Sequence, residues 1–266
     1  MTDWRSYDAI ADAYERVWGP HFEAVARHLL GLAQPAPGTR LLDLGTGTGA
    51  VLTALGGDLA TLRHAVGCDL SLPMLIRARR RLPTFRLVVA DGAQLPFSDG
   101  SFDLVTANCV LSHLQDFRRA LLEIVRALAK PSAFAATCWG AASDPYAVAW
   151  KQLLDSALGE GAAQRAMEAV APSESHLSSS HNLRGALLEA GFSSVRVEVV
   201  ELRFDYSVQE YLADRELSSG GRFGRDVMGE AGWRQFLERS AAHVTRRFGE
   251  RVRYERPLVV GIGKLT

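Results

Sequence analysis

The segment LLDLGTGTGA sets Asp43 just ahead of a loop containing Gly45, Thr46, Gly47 and Gly49. Glycines directly behind a strand let the chain turn tightly and let a ligand approach the main chain. The helix that follows offers free N–H groups and a partial positive charge. Such a cradle suits a pyrophosphate, and equally the carboxylate of a methionine moiety. The glycines alone leave both open. Gly45, Gly47 and Ala50 also satisfy the dinucleotide fingerprint GxGxx(G/A), and Asp69 could hold a ribose in either setting. Asp43 adds a negative charge before the loop, which is unhelpful beside a pyrophosphate and compatible with a cationic ligand. No tyrosine is followed four residues later by lysine, the pair that a reductase of the common short-chain type would use.

His113 is the candidate for proton transfer, because imidazole can take a proton near neutral pH. Trp139, at the end of an apolar run, could wall a pocket. His176 and His181 flank a serine run with no companion carboxylate or cysteine at ligand spacing, so no metal site is expected. Cys68, Cys109 and Cys138 form no CxxC pair and read as small buried hydrophobes. Arg77, Arg79, Arg80 and Arg81 read as a solvated helix face.

The elements that must position these groups alternate. Strands are expected over 41–45, 64–70, 85–91, 102–110 and 133–140. Between them lie helices over 50–57, over 71–82 with Ser71 as N-cap and Pro83 as stop, and over 116–130, where Phe117, Leu121, Ile124, Val125 and Leu128 share a face. This alternation implies a parallel sheet covered on both faces, with ligands beyond the carboxyl ends of the strands. Further on, 144–171 reads as two helices, 175–181 as a polar loop, 183–192 as a helix closed by Gly191, and 194–204 as a half-exposed strand. Residues 207–248 read as mainly helical and 256–265 as a last strand.

Composition sets the class. The 266 residues are 47% hydrophobic and 23% charged, the balance of a globular protein with a sizeable core. Thirty Lys plus Arg offset thirty Asp plus Glu, so no long-range field favours nucleic acid or an anionic membrane. The first residues carry no basic region followed by an apolar run, and no segment is long and apolar enough to span a bilayer. A cytoplasmic protein is the expectation.

DLGTGTG, then CDLSLPML with Asp69, Leu70, Ser71 and Met74, then ADGAQLPFSDGSFDLV, then NCVLSHLQD come in a fixed order. Together they resemble the class I S-adenosylmethionine-dependent methyltransferases, in particular the small-molecule branch that includes the ubiquinone and menaquinone methyltransferases. The resemblance runs from about Tyr7 to Trp139. It implies a Rossmann-like, doubly wound α/β sheet of seven strands, the last antiparallel, with a helical substrate cap. It implies S-adenosylmethionine as cofactor, a ligand with a sulfonium and an ammonium and no phosphate. Gly45, Thr46, Gly47 and Gly49 would form the cofactor loop, with Asp43 at the methionine amino end. Asp69 would take both ribose hydroxyls, Leu70 and Met74 would line the same site, and Asp91 would accept from the adenine amino group beside Gly92. Asn108 would line the methyl-donor end. Tyr7 and Tyr14 would belong to a helix closing over the cofactor. A substrate pocket would include Tyr7, Tyr14, His113 and Trp139.

Two departures matter little for that reading. Lys130, Pro131, Ser132 and Ala133 stand where the family usually has Lys-Pro-Gly-Gly, which touches a turn. No Asn/Asp-Pro-Pro-aromatic run follows the fourth strand, unlike the amino-group DNA methyltransferases. The expectation is one domain over 1–266: a helical lid over 1–36, a cofactor core over 37–140, and cap segments over 141–180 and 205–250. The acceptor would be a small molecule. A methyltransferase-fold cyclase or binding protein, and a nicotinamide oxidoreductase, are the alternatives.

Overall fold

The computed structural model describes residues 3–56, 61–141 and 144–266. The apolar runs form β1 (Arg40–Leu44), β2 (His64–Asp69), β3 (Arg86–Val89), β4 (Phe102–Asn108) and β5 (Leu128–Trp139), all parallel. β6 (Ser194–Ser207) and β7 (Arg251–Leu265) complete a seven-stranded sheet of order β3-β2-β1-β4-β5-β7-β6. β7 runs antiparallel between β5 and β6. Chain order reverses between β1 and β4, and a crevice opens there at the carboxyl ends of the strands.

Buried Leu41, Leu42, Val105, Phe134 and Ala135 fill the sheet faces. Each large apolar side chain removed from water contributes about 1.5–3 kcal/mol. On one face lies α5 (Phe117–Ala127), which buries Phe117, Leu121 and Ile124. On the other, α2 (Gly19–Ala33) sets Val25, Ala26 and Leu29 against Val51, Ala135, Leu258 and Val260. α2 is therefore a layer of the core. The chain before it reaches over the strand ends, as a 3-10 turn (Asp8–Ile10) and α1 (Ala11–Val17), and the first turn of α2 adds Phe22.

α3 (Ala50–Leu55) follows the glycine loop, and Gly57, expected at its end, lies outside the described residues. α4 (Leu72–Arg81) begins as expected, with Ser71 Oγ accepting from Met74 N at 3.3 Å. Its arginines are not simply solvated: Arg77 pairs with Asp12 and Arg81 with Glu23, tying α4 to α1 and α2. The helix expected over 116–130 stops at Ala127, and β5 starts at Leu128. Pro131 has no N–H to give a helix, and its ring turns Lys130 away from the α region.

β6 and β7 outrun the rest of the sheet. Trp139, the last residue of β5, pairs with Leu258, yet the β6–β7 ladder continues to Ser207↔Arg251. The overhang is a two-stranded ribbon that lifts Phe204, Tyr206, Tyr254 and Arg256 above the strand ends. Cross-strand ion pairs, Arg203–Glu255 at 2.8 Å and Arg251–Asp205 at 2.6 Å, guard its solvent side.

The ribbon carries α10 (Val208–Leu217) and α11 (Ser219–Phe248, kinked at Gly229). These pack with α6 (Pro145–Leu158) and α7 (Ala162–Val170) around Trp150, Leu154, Tyr211, Trp233 and Phe236. The segment expected as a polar loop holds α8 (Glu174–Leu177), and Ser179 caps α9 (Ser180–Glu189). Among the described residues, no helix is long and apolar enough to cross a membrane.

Candidate active site

Two cavities meet above the crevice. One, of about 550 Å³, lies against the ends of β1, β2 and β4. The other, of about 420 Å³, lies beneath the cap helices. Tyr7, Trp18, Phe22, His113 and Val170 border both, so these side chains form the wall where the two chambers join.

The first chamber gathers most of the residues expected to hold a cofactor. Gly45 and Gly47 line it. Gly45 has φ 64°, and a Cβ there would come within 2.2 Å of Val110 Cγ2, so only glycine fits. The Gly47 N–H donates to Asp69 Oδ2 at 2.8 Å, and the Ser71 N–H donates to Asp69 Oδ1 at 2.9 Å. Asp69 is thus locked in place, with a second lone pair on each oxygen left to accept. Burial raises its carboxyl above the ordinary range.

Leu70 is 71% exposed and lies on the chamber wall, an apolar surface ready to meet a flat ligand. Met74 is buried behind it, and exposed Asp91 and buried Gly92 complete that side. Asp91 Oδ1 accepts from Ala93 N at 2.9 Å. Asn108 also lines the chamber, but its amide is engaged: Nδ2 donates to Phe22 O at 3.1 Å, and Oδ1 accepts from Thr137 Oγ1 at 2.8 Å. It pins α2 to the strand ends.

Three residues expected at the cofactor sit elsewhere. Asp43 is 1% exposed beneath the loop, not on the chamber wall. Thr106 Oγ1 donates to its Oδ1 at 2.8 Å, while its Oδ2 has no partner among the described residues. Burial pushes the Asp43 carboxyl up to about 7. Thr46 turns its side chain toward β2, where a Cβ on Gly67 would come within 2.9 Å of it. Gly49 caps α3 with φ 90°, and a Cβ there would come within 2.6 Å of Leu82 Cδ1, so it serves the packing of α4. Trp139, expected in a substrate pocket, lines the second chamber, with the Arg256 guanidinium 4.2 Å over its ring.

The roof comes from the N-terminus. Tyr14 stacks on Phe22 at 5.5 Å. Tyr7 precedes the first helical turn rather than belonging to a helix, and meets Tyr14 and His113 edge-on at 5.9 and 5.6 Å. Residues 3–8 pass over the first chamber, held at one side by Ser71 Oγ donating to Asp8 Oδ1 at 2.6 Å. Burial lowers His113 below the ordinary imidazole range, against an opposing pull from Glu174. A neutral ring 3.2 Å from the Val170 carbonyl carries its proton on Nδ1, because a carbonyl can only accept. Nε2 is then left with the basic lone pair.

Sequence reasoning did not single out Glu174, Asp214, Arg215, Arg222 or Arg256. Arg256 Nη2 donates to Glu174 Oε1 at 3.3 Å, and Trp18 Nε1 donates to Asp214 Oδ1 at 2.6 Å. Glu174, Arg256, Asp214 and Arg222 meet partners far away in the chain, so no local pattern marks them, and Arg215 pairs with its neighbour Asp214. His176 packs beside Phe117 at 5.9 Å and borders neither chamber.

A methyltransferase-domain family profile matches residues 42–136, which carry the glycine loop, Asp69, Asp91 and His113. Nocamycin O-methyltransferase of Saccharothrix syringae is 31% identical over 212 residues, 76% of this chain and 75% of that protein. This chain belongs to the S-adenosylmethionine-dependent methyltransferases. Demethylmenaquinone methyltransferase of Beutenbergia cavernae is 34% identical over 119 residues, covering 45% of each chain. A Haemonchus contortus phosphoethanolamine N-methyltransferase, solved with S-adenosylmethionine, superposes with a TM-score of 0.60 at 18% identity. That superposition covers 99% of this methyltransferase and 60% of the other, and supports the shared fold. S-adenosylmethionine is the cofactor, and the Rossmann-like sheet with its antiparallel β7 is the expected one.

Proposed function

We propose that this methyltransferase methylates a hydroxyl oxygen of a small aromatic or enolic acceptor, with His113 taking the proton. One observation carries the reading: the two chambers join at a wall containing His113 and Tyr7. A cofactor in the first and an acceptor in the second would meet there. The choice of oxygen draws on the nocamycin enzyme, an O-methyltransferase whose match is too long to be confined to residues 1–140 and so extends into the cap.

The residues present fit the cofactor. The first chamber is the size of an ordinary small-molecule site. Asp43 Oδ2, buried beneath the loop without a partner among the described residues, would put a negative charge under a bound ammonium, and exposed Leu70 offers its face to a purine. In this reading Asp69 takes the ribose hydroxyls, Asp91 the adenine amino group with Gly92 beside it, and Asn108 borders the donor end. When bound, the cofactor supplies an already activated methyl group on a sulfonium. The chain then has to align the reactants in line, which can be worth about 7–11 kcal/mol of the barrier. Tyr7 and Tyr14 close the roof and exclude water. Neutral His113, its proton on Nδ1, accepts the hydroxyl proton at Nε2.

The test is calorimetric titration with S-adenosylhomocysteine, with NADH as control, followed by methyl-transfer assays on paired phenols and anilines. Binding of S-adenosylhomocysteine and turnover of phenols in preference to anilines is expected. Turnover of anilines alone, or binding of NADH, would refute the reading.

A further inference from the structure

The second chamber has an aromatic wall and an unusual charge arrangement. Phe22, Trp139, Phe204 and Tyr254 offer flat apolar faces. Into the same space project two guanidiniums, Arg215 on the cap and Arg256 on the ribbon. Arg215 is served: its Nε and Nη2 both donate to Asp214. Arg256 is not. Among the described residues, its hydrogen bond to a carboxylate runs from Nη2 to Glu174 at 3.3 Å, and its buried Nε has no partner. Burial lowers its pKa, and the like charge of Arg215 adds to the effect.

A guanidinium carries five N–H donors in a rigid fork matched to two oxygens of one anion. Leaving such a group under-satisfied in a cavity is costly unless a ligand completes it. The Arg256 guanidinium lies over the Trp139 ring, 4.2 Å from its centre, so the indole covers one side of the fork. Arg256 lines the chamber, so a planar ligand carrying a carboxylate could accept from its terminal Nη groups and lie along the aromatic wall. Glu174 stands between the two functions, since it pairs with Arg256 and its charge also acts on His113.

Resting on the O-methylation reading, we infer that the acceptor is an acid: a planar ring bearing a carboxylate that Arg256 anchors, with Arg215 reinforcing the field. The carboxylate is the handle, and the hydroxyl presented to His113 is the nucleophile. Arg256 is then a specificity-determining residue of the acceptor site, with no part in holding the cofactor.

The experiment uses the full chain saturated with S-adenosylhomocysteine. Para-hydroxybenzoate is titrated against para-hydroxybenzamide, and a hydroxynaphthoate against its amide, by calorimetry and by the fluorescence of the chamber's tryptophans. Each acid is expected to bind roughly tenfold or more tightly than its amide, the scale of a charge-assisted hydrogen bond. Arg256→Met should erase that preference and leave S-adenosylhomocysteine affinity unchanged. Arg256→Lys, which keeps the charge and loses the fork, should retain a reduced preference, and it serves if the Met variant does not fold. Equal binding of acid and amide, no binding of any acid at millimolar concentration, or a preference that survives Arg256→Met would overturn the inference while the methyltransferase reading stood. Failure to bind S-adenosylhomocysteine would instead defeat the cofactor assignment beneath it.

Discussion

The guanidinium of Arg222 lies 4.5 Å from the centre of the Tyr7 ring, at the place where the cap meets the roof of the cofactor chamber. Its Nη1 donates to the carbonyls of Ser6 at 2.9 Å and Arg5 at 3.2 Å. Trp4 and Phe223, the next residues outward, meet at 5.1 Å. One cation on α11 therefore fastens the segment that crosses the chamber. Arg222 is 6% exposed, and its Nε and Nη2 have no partner among the described residues. Replacing it by methionine removes two hydrogen bonds and also two unsatisfied donors, so stability should change by only about 1 kcal/mol. The loosened segment should release S-adenosylhomocysteine roughly 3–10-fold faster, at the scale of one lost hydrogen bond. Stopped-flow displacement and a thermal melt measure the two effects. Unchanged release would mean that the segment does not gate the chamber.

Asp69 is the hinge of the cofactor site, because it fixes the glycine loop and the start of α4 at once. Asp69→Ala leaves the Gly47 and Ser71 N–H groups without their acceptor, at about 1–3 kcal/mol in stability. Affinity for S-adenosylhomocysteine should fall roughly a hundredfold or more, since the proposed ribose contacts and the loop geometry would go together. Asp69→Asn keeps one acceptor oxygen and should lose less of both. Calorimetry on all three proteins tests the ordering, and an alanine variant that binds as tightly as the parent would remove Asp69 from the site.

The half of the fold that builds this site was legible because its function constrains its chemistry locally. A glycine at Gly45 and a capping serine at Ser71 are demanded by backbone conformation, and both leave a mark in a single sequence. Side-chain direction is less local. Asp43 and Thr46 belong to the right segment, yet one points beneath the loop and the other toward Gly67. Gly49 looks like its neighbours and serves Leu82 instead. The ribbon was hidden for a different reason. Its outer face carries Arg203, Asp205, Arg251 and Arg253, so both strands end, in a hydropathy reading, well before the ladder does. The second chamber, proposed to hold the acceptor, is the least legible part. Glu174 and Arg256 are 82 residues apart and meet only after the cap has formed.

Asp43 gives a pH signature. Its folded pKa, pushed up to about 7 by burial, stands above the unfolded value of about 3.9. Between those values the unfolded chain releases a proton that the folded chain keeps. Stability of the ligand-free protein should therefore fall as pH rises from about 4 to about 7, then level off. A cofactor ammonium favours the ionised carboxylate, so stabilisation by S-adenosylhomocysteine should be larger at pH 8 than at pH 5. Asp43→Asn keeps an oxygen for Thr106 and removes the titration. It should melt higher than the parent at pH 8 without ligand, and bind S-adenosylhomocysteine more weakly. Melting curves at both pH values, with and without ligand, would show a parallel response in the two proteins if the carboxylate had no such role.

His113 decides the mechanism. Burial holds it neutral below the ordinary pKa of about 6.5, so a base at this position stays competent at mildly acidic pH. With a phenolic acceptor, kcat/KM should show an acid limb whose midpoint lies below pH 6.5. His113→Gln keeps a polar side chain of similar reach and loses the base. A drop of roughly 100–10,000-fold in kcat is expected, the range for general-base catalysis, with S-adenosylhomocysteine affinity almost unchanged. The acid limb should vanish with it. Acceptors that are already ionised in solution provide the internal control: a strongly acidic phenol, present as phenolate at the assay pH, should lose far less rate in the variant. If both classes of acceptor slow equally, His113 acts by shaping the wall between the chambers, and proton removal must be assigned elsewhere.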